Sequence, residues 1–83
     1  MKRYFIYFNA IEDELQKAIK KHPDWPIDIF RQLAIMQEEA GEVTKAVLHY
    51  VYEDGTIKKV KEELIQTAAM CIRMLDDLTK LNN

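Results

Sequence analysis

Glycine and proline are scarce, two of each in 83 residues, so the repeated tight turns of a β-sandwich or barrel have little material here. Cysteine occurs once, as Cys71, which excludes an internal disulfide. No second Cys or His stands near it at metal-ligand spacing, so no zinc site is written, and the usage fits a reducing cytoplasm. No run approaches the roughly 18 consecutive apolar residues that a membrane span needs. A basic excess is also missing: 12 Lys and Arg face 14 Asp and Glu, for a formal net charge of −2, which argues against a bulk nucleic-acid binder. The opening MKRYFIYFNAIEDEL is basic and then apolar. Asn9 and the acidic triplet Glu12, Asp13 and Glu14 break that run, so it reads as a helix and not as a secretory signal.

Helix formers are plentiful. With 48% apolar and 31% charged residues, the composition describes one small all-α domain over residues 1–83, with a core limited by its size. Phe8, Ile11, Leu15, Ala18 and Ile19 share one helical face, which predicts a first helix over residues 4–21. His22-Pro23-Asp24-Trp25-Pro26 ends it, because two prolines within four positions remove donors and push their predecessors out of helical geometry. Pro26 is expected as the first residue of a second helix, with Asp28 in its first turn, running to about Glu53. Asp54-Gly55-Thr56 follows, where a left-handed Gly55 would close one helix and Thr56 would cap the next. Ile57, Val60, Leu64, Ala68, Cys71, Leu75 and Leu78 then line a third helix to about Leu81. The expectation is three helices per chain, or four if the long central one breaks, in a helical bundle.

The central helix carries acids at the edge of its apolar surface. Met36, Ala40, Val43 and Val47 form its main stripe, while Glu39 and Glu42 project from an adjacent strip shared with Ile35 and Ala46. Like charges three apart on one face repel unless a cation relieves them. Glu38 completes the group. In the third helix a second row of Met70, Met74 and Leu81 leads back to Glu63, with Gln66 one turn further along. If the two helices pack antiparallel, as their short connection favours, Glu39, Glu42, Glu63 and Gln66 could converge as oxygen ligands for a hard cation such as Mg²⁺. The residue pattern alone leaves that reading open beside an ordinary solvated acidic face. A di-iron carboxylate bundle is excluded, because Ile19 and Ala46 occupy the positions where Glu-x-x-His pairs would need Glu before His22 and His49. His49 reads as a surface or interface residue.

Glu38-Glu39-x-x-Glu42 on one helix, followed about twenty residues later by Glu63-x-x-Gln66 on the next, resembles the EExxE…ExxD signature of the MazG-like, all-α nucleotide pyrophosphohydrolases. The resemblance spans residues 27–78 and includes the runs Glu38-Glu39-Ala40-Gly41-Glu42 and Glu62-Glu63-Leu64-Ile65-Gln66. It implies hydrolysis of a nucleoside or deoxynucleoside triphosphate to the monophosphate and pyrophosphate, with Mg²⁺, or Mn²⁺, as cofactor. By position it implies that Glu39, Glu42, Glu63 and Gln66 hold the metal, and that Glu38 is a further ligand or the group that orients and deprotonates the attacking water. It also implies a homodimer or pair of dimers that completes the bundle. Gln66 stands where the family has Asp: it offers a carbonyl oxygen but neither charge nor a base at neutral pH. Three outcomes follow from it, namely weaker metal binding with turnover, a shifted preference, or an impaired nucleotide-binding or dimerisation module.

Basic residues near these motifs are candidates for substrate phosphate: Lys45, Lys58, Lys59 and Lys61, the last three at the start of the third helix, and Arg73 on the Gln66 side of it. Lys45 could instead pair with Glu42. Trp25, the single tryptophan, suits either a platform for base stacking or an apolar plug between helices.

Overall fold

The computed structural model describes residues 2–81, and among them every regular element is helical. Three helices follow in order: α1 over Lys2–Lys21, α2 over Ile29–Tyr52 and α3 over Ile57–Leu81. The first starts two residues earlier than its apolar periodicity suggests. The central helix is unbroken through 24 residues.

The second helix begins later than expected. Asp28 is its cap, with an extended backbone and a carboxylate Oδ1 that accepts from the Phe30 N–H at 2.9 Å. Pro26 therefore stays in the loop, where its carbonyl accepts from Gln32 Nε2 at 2.8 Å. A side-chain acceptor satisfies an orphan helix donor better than a proline merely avoids one, and the Asp takes the boundary.

At the other end of α2 the left-handed glycine is absent: no described residue has a positive φ. Gly55 is required for a different reason. A Cβ there would lie 2.7 Å from the His49 carbonyl carbon and 2.8 Å from the Tyr50 nitrogen, so the turn folds directly onto the last turn of α2. The N–H groups of Glu53 and Gly55 both donate to the His49 carbonyl, at 2.9 and 3.1 Å. Thr56 caps α3 as anticipated, its Oγ1 accepting from the Lys59 N–H at 3.1 Å.

α3 is the middle of the molecule. It packs against both α1 and α2, whose backbones do not approach each other closely, although side chains of both line shared cavities. The short turn at residues 53–56 makes α2 and α3 antiparallel. α1 runs beside α3 in the same sense, with Tyr7 and Ile11 near Lys61 and Ile65, and Ala18 near Met70.

The core faces differ from the expected stripes. On α2 the expected Met36, Ala40 and Val43 are half-buried and only Val47 of that stripe is exposed, while Ile35, Glu39 and the buried Ala46 of the adjacent strip also turn inward. On α3 the most buried residues are Val60, Glu63 and Ala69, while Ile57, Leu64, Cys71 and Leu75 of the anticipated stripe lie on the surface. Phe8 and Ile19 of α1 are exposed too. The reason for α3 is geometric: it must divide its circumference between two neighbours on different sides, so the inward directions fall to either side of its most apolar line. Met70 and Met74 are half-buried as expected, and the side chain of Leu81 lies outside the described residues.

Candidate functional site

Glu39 of α2 and Glu63 of α3 lie on the sides by which these two helices face each other. Glu63 is 4% exposed, and its carboxylate lies 3.5 Å from Lys59 Nζ, one turn earlier on the same helix and largely in solvent. Glu39 is half-buried, and Glu38 and Glu42 are exposed. Burial, followed by the negative charges of Glu63, Glu38, Glu42 and Glu14, pushes the Glu39 carboxyl above its ordinary value. A bound cation would reverse that penalty. Glu39, Glu63 and the Gln66 carbonyl offer oxygen donors, the type that a hard divalent ion takes. Among the described residues no three His, Cys, Asp or Glu side chains are grouped as an assembled metal site, so the acids are spread along the groove.

Three cavities divide this groove. One of about 370 Å³ brings Glu39 and Gln66 together with Glu14, Lys17, Lys21 and His22, largely from α1. A second, of about 360 Å³, joins Glu38 and Glu39 to Trp25, Arg73, Met70 and Ile35. The third, of about 310 Å³, lies toward the turn and is lined by Glu42, Lys45, Ala46, His49, Gly55 and Lys59.

Trp25 and Arg73 act together. The guanidinium lies 4.6 Å from the centre of the indole ring, and Arg73 Nη2 donates to the His22 carbonyl at 2.6 Å. A longer contact of 3.5 Å reaches Pro23. Behind them, Gln32 is fully buried and its Nε2 donates to the Asp77 carboxylate at 2.8 Å as well as to Pro26. The loop is thus pinned to α3 by its own carbonyls. Trp25 Nε1 and Gln32 Oε1 are buried without hydrogen-bond partners.

The remaining basic candidates separate. Lys45 and Lys59 line the cavity beside Glu42, and the pairing of Lys45 with Glu42 is not formed. Lys61 lies against a different, apolar groove with Tyr7, Ile11, Leu64 and Ile65, and Lys58 is exposed. Two contributors escape the sequence reading. Glu14 reaches the site from α1, and its spacing of three from Ile11 and four from Ala18 marks it as lying on the inward face. His49 lines the cavity with Lys45 and Lys59 while sitting 3.3 Å from Glu53.

No helix of the described residues is long and apolar enough to cross a membrane. In comparisons with known proteins, no family model matches the chain, and neither a curated protein nor a solved structure matches it.

Proposed function

We propose that this chain is a metal-dependent nucleoside or deoxynucleoside triphosphate pyrophosphohydrolase that works as a homodimer or pair of dimers. The observation that supports the reading is the buried Glu63 of α3 near the half-buried Glu39 on α2, whose carboxyl is raised by burial first and by the Glu63 charge second, a cost that a bound cation would relieve. Glu39, Glu42 and Glu63, with the carbonyl oxygen of Gln66, would hold Mg²⁺ or Mn²⁺. When bound, such an ion neutralises charge on phosphate oxygens and orients an attacking water. Glu38, exposed beside Glu39, is suited to accept that water's proton. The Trp25 cavity offers an aromatic ring and Met70 to a base, next to the acids.

Surface area supports self-association. The chain exposes 6790 Å² where a compact monomer of 9.8 kDa would expose about 5,200 Å². The excess, about 1,600 Å², exceeds the roughly 800 Å² per partner of a standard interface. Its radius of gyration of 14.1 Å likewise exceeds the value of about 12 Å for a compact domain of this length. Exposed Phe5, Phe8, Leu64 and Leu75 supply apolar surface for such a contact. The single thiol, Cys71, is exposed and unpaired, which is in keeping with a cytoplasmic setting.

Gln66 and the ungrouped carboxylates favour one second reading, a nucleotide-binding or dimerisation module without turnover. Pyrophosphate release from the common NTPs and dNTPs, with Mg²⁺ and then Mn²⁺, separates the two. The first reading expects turnover in wild type that Glu39→Gln abolishes. Silence in wild type with activity restored by Gln66→Asp would establish the second, and silence in all three proteins would remove the enzyme.

A further inference from the structure

We infer that Arg73, which the sequence offers as a contact for substrate phosphate, is instead a positioning residue. It seats the loop at residues 22–26, with Trp25, as one wall of the cavity of about 360 Å³ that contains Glu38 and Glu39. What that cavity would admit rests on the hydrolase reading above; the seating of the loop stands on geometry alone. Its cause lies in the loop's own composition. Proline has no N–H, so Pro23 and Pro26 leave this segment rich in carbonyl acceptors and poor in donors. Residues 23–27 make no backbone–backbone hydrogen bond among the described residues. Donors must then come from side chains of the packed helices. Arg73 of α3 supplies them to the His22 carbonyl at 2.6 Å and, more distantly, to the Pro23 carbonyl at 3.5 Å, while Gln32 of α2 supplies one to the Pro26 carbonyl at 2.8 Å.

The guanidinium does two things at once. Its edge meets the carbonyls while its charge lies 4.6 Å from the centre of the Trp25 ring, a combination that a planar fork permits and an ammonium does not. Trp25 Nε1 is buried without a partner, so no hydrogen bond of its own orients the indole, and the stack on Arg73 is what fixes it. Nothing competes for the arginine. Asp77, one turn further along α3 and the natural i,i+4 partner, is engaged by Gln32 Nε2 at 2.8 Å. Asp24, Glu38 and Glu39 line the same cavity as Arg73 together with His22, and none of these carboxylates lies within ion-pair distance of it. A side chain with both edge and face occupied has little left for a ligand.

Trp25 is the single tryptophan, so its fluorescence reports this loop alone. Emission and acrylamide quenching are compared in the full chain for wild type, Arg73→Lys and Arg73→Met, beside tryptic cleavage of the bond between Lys21 and His22 scored against total cleavage. Arg73→Met should shift emission to the red, raise the quenching constant and speed that cleavage. Arg73→Lys, which keeps the charge without the fork, should fall between and carries the comparison if Arg73→Met does not fold. A double-mutant cycle of Arg73→Met with Trp25→Leu in urea should leave a coupling of about two- to fivefold in the folding equilibrium. Emission and quenching unchanged in the folded variants, or strictly additive substitutions, overturn the inference. Inorganic tripolyphosphate with Mg²⁺ separates positioning from phosphate contact. Equal affinity in wild type and the Arg73 variants supports positioning, and a loss of about tenfold would make Arg73 a phosphate ligand and overturn it. Altered Trp25 fluorescence in a protein that hydrolyses no triphosphate would keep the positioning role and remove the hydrolase, whereas turnover with Trp25 unaffected by Arg73→Met would do the reverse.

Discussion

Alanine at each of the two glycines should shift stability in opposite directions. Gly41 sits in the middle of α2, between Ala40 and Glu42, and a Cβ built there meets nothing within 4 Å. Gly in a helix interior costs about 1 kcal/mol relative to Ala, so Gly41→Ala should add about that much. Gly55 has an ordinary backbone conformation, and on that ground alone alanine would gain about 0.4 to 1 kcal/mol through the unfolded chain. Its Cβ, however, would lie 2.7 to 2.9 Å from the carbonyl carbon and Cβ of His49 and the nitrogen of Tyr50. Two of those three atoms are helix backbone and cannot swing aside, and overpacking of this kind costs about 1 to 3 kcal/mol. The net for Gly55→Ala is a loss of about 1 to 2 kcal/mol. For a chain of 83 residues the unfolding entropy is about 0.17 kcal/mol/K, so 1 kcal/mol moves the melting temperature by about 6 °C. Circular dichroism melts at one fixed chain concentration should therefore place Gly41→Ala about 6 °C above wild type and Gly55→Ala about 6 to 12 °C below it. Both variants melting on the same side of wild type would refute the reasoning. A destabilised Gly41→Ala would mean that the open face at Gly41 is covered by something other than this chain's own fold.

Glu39 gives a pH dependence with a definite sign. Its folded value is raised, so the native state holds that proton more tightly than the unfolded chain. The resulting stabilisation is full below the ordinary value of 4.5, is lost as pH climbs through the raised value, and is absent at neutral pH. Glu39→Gln should accordingly melt higher than wild type at pH 7 without metal, and lower relative gain at pH 4 would accompany it; equal melts at both pH values would contradict the assignment. With Mg²⁺ at one hundred times its dissociation constant, wild type should gain about 2.7 kcal/mol and Glu39→Gln almost none, read by the same melts. Lys59→Met leaves the buried Glu63 carboxylate without its cation and should cost about 1 to 2 kcal/mol, less than for a fully buried pair because the lysine is largely solvated; an unchanged urea midpoint would show that the pair contributes nothing. Sedimentation at micromolar concentration should give a dimer or larger, and Leu75→Lys, at a residue 65% exposed in the single chain, should favour dissociation; a 9.8 kDa species for wild type would rule the dimer out.

Helix content, helix number and the two breaks between helices follow from local chemistry. The prolines at 23 and 26, the cap at Thr56, and apolar residues three and four apart act within one or two turns of themselves, so the sequence carries them directly, whereas Asp28, expected inside the first turn of α2, is its cap. The acids of α2 and α3 were visible too, because an acid beside apolar positions breaks the expected pattern. Which line of each helix turns inward was visible only in part: Ile11, Leu15, Ala18, Met36, Ala40, Val43, Val60, Ala68 and Leu78 are covered as their spacing suggests, and the rest of their stripes are not. Leu64 and Leu75 belong to the most apolar stripe of α3 yet are exposed, whereas Glu63 is buried, because α3 packs against two helices on different sides. Glu14 and His49 came to the groove by the same route, through packing between elements far apart in the chain. Gly55 shows the division most simply: its place after α2 suggested a left-handed closing residue, and only the packing of the turn against His49 and Tyr50 showed that the missing Cβ, and not a left-handed φ, is what the position uses.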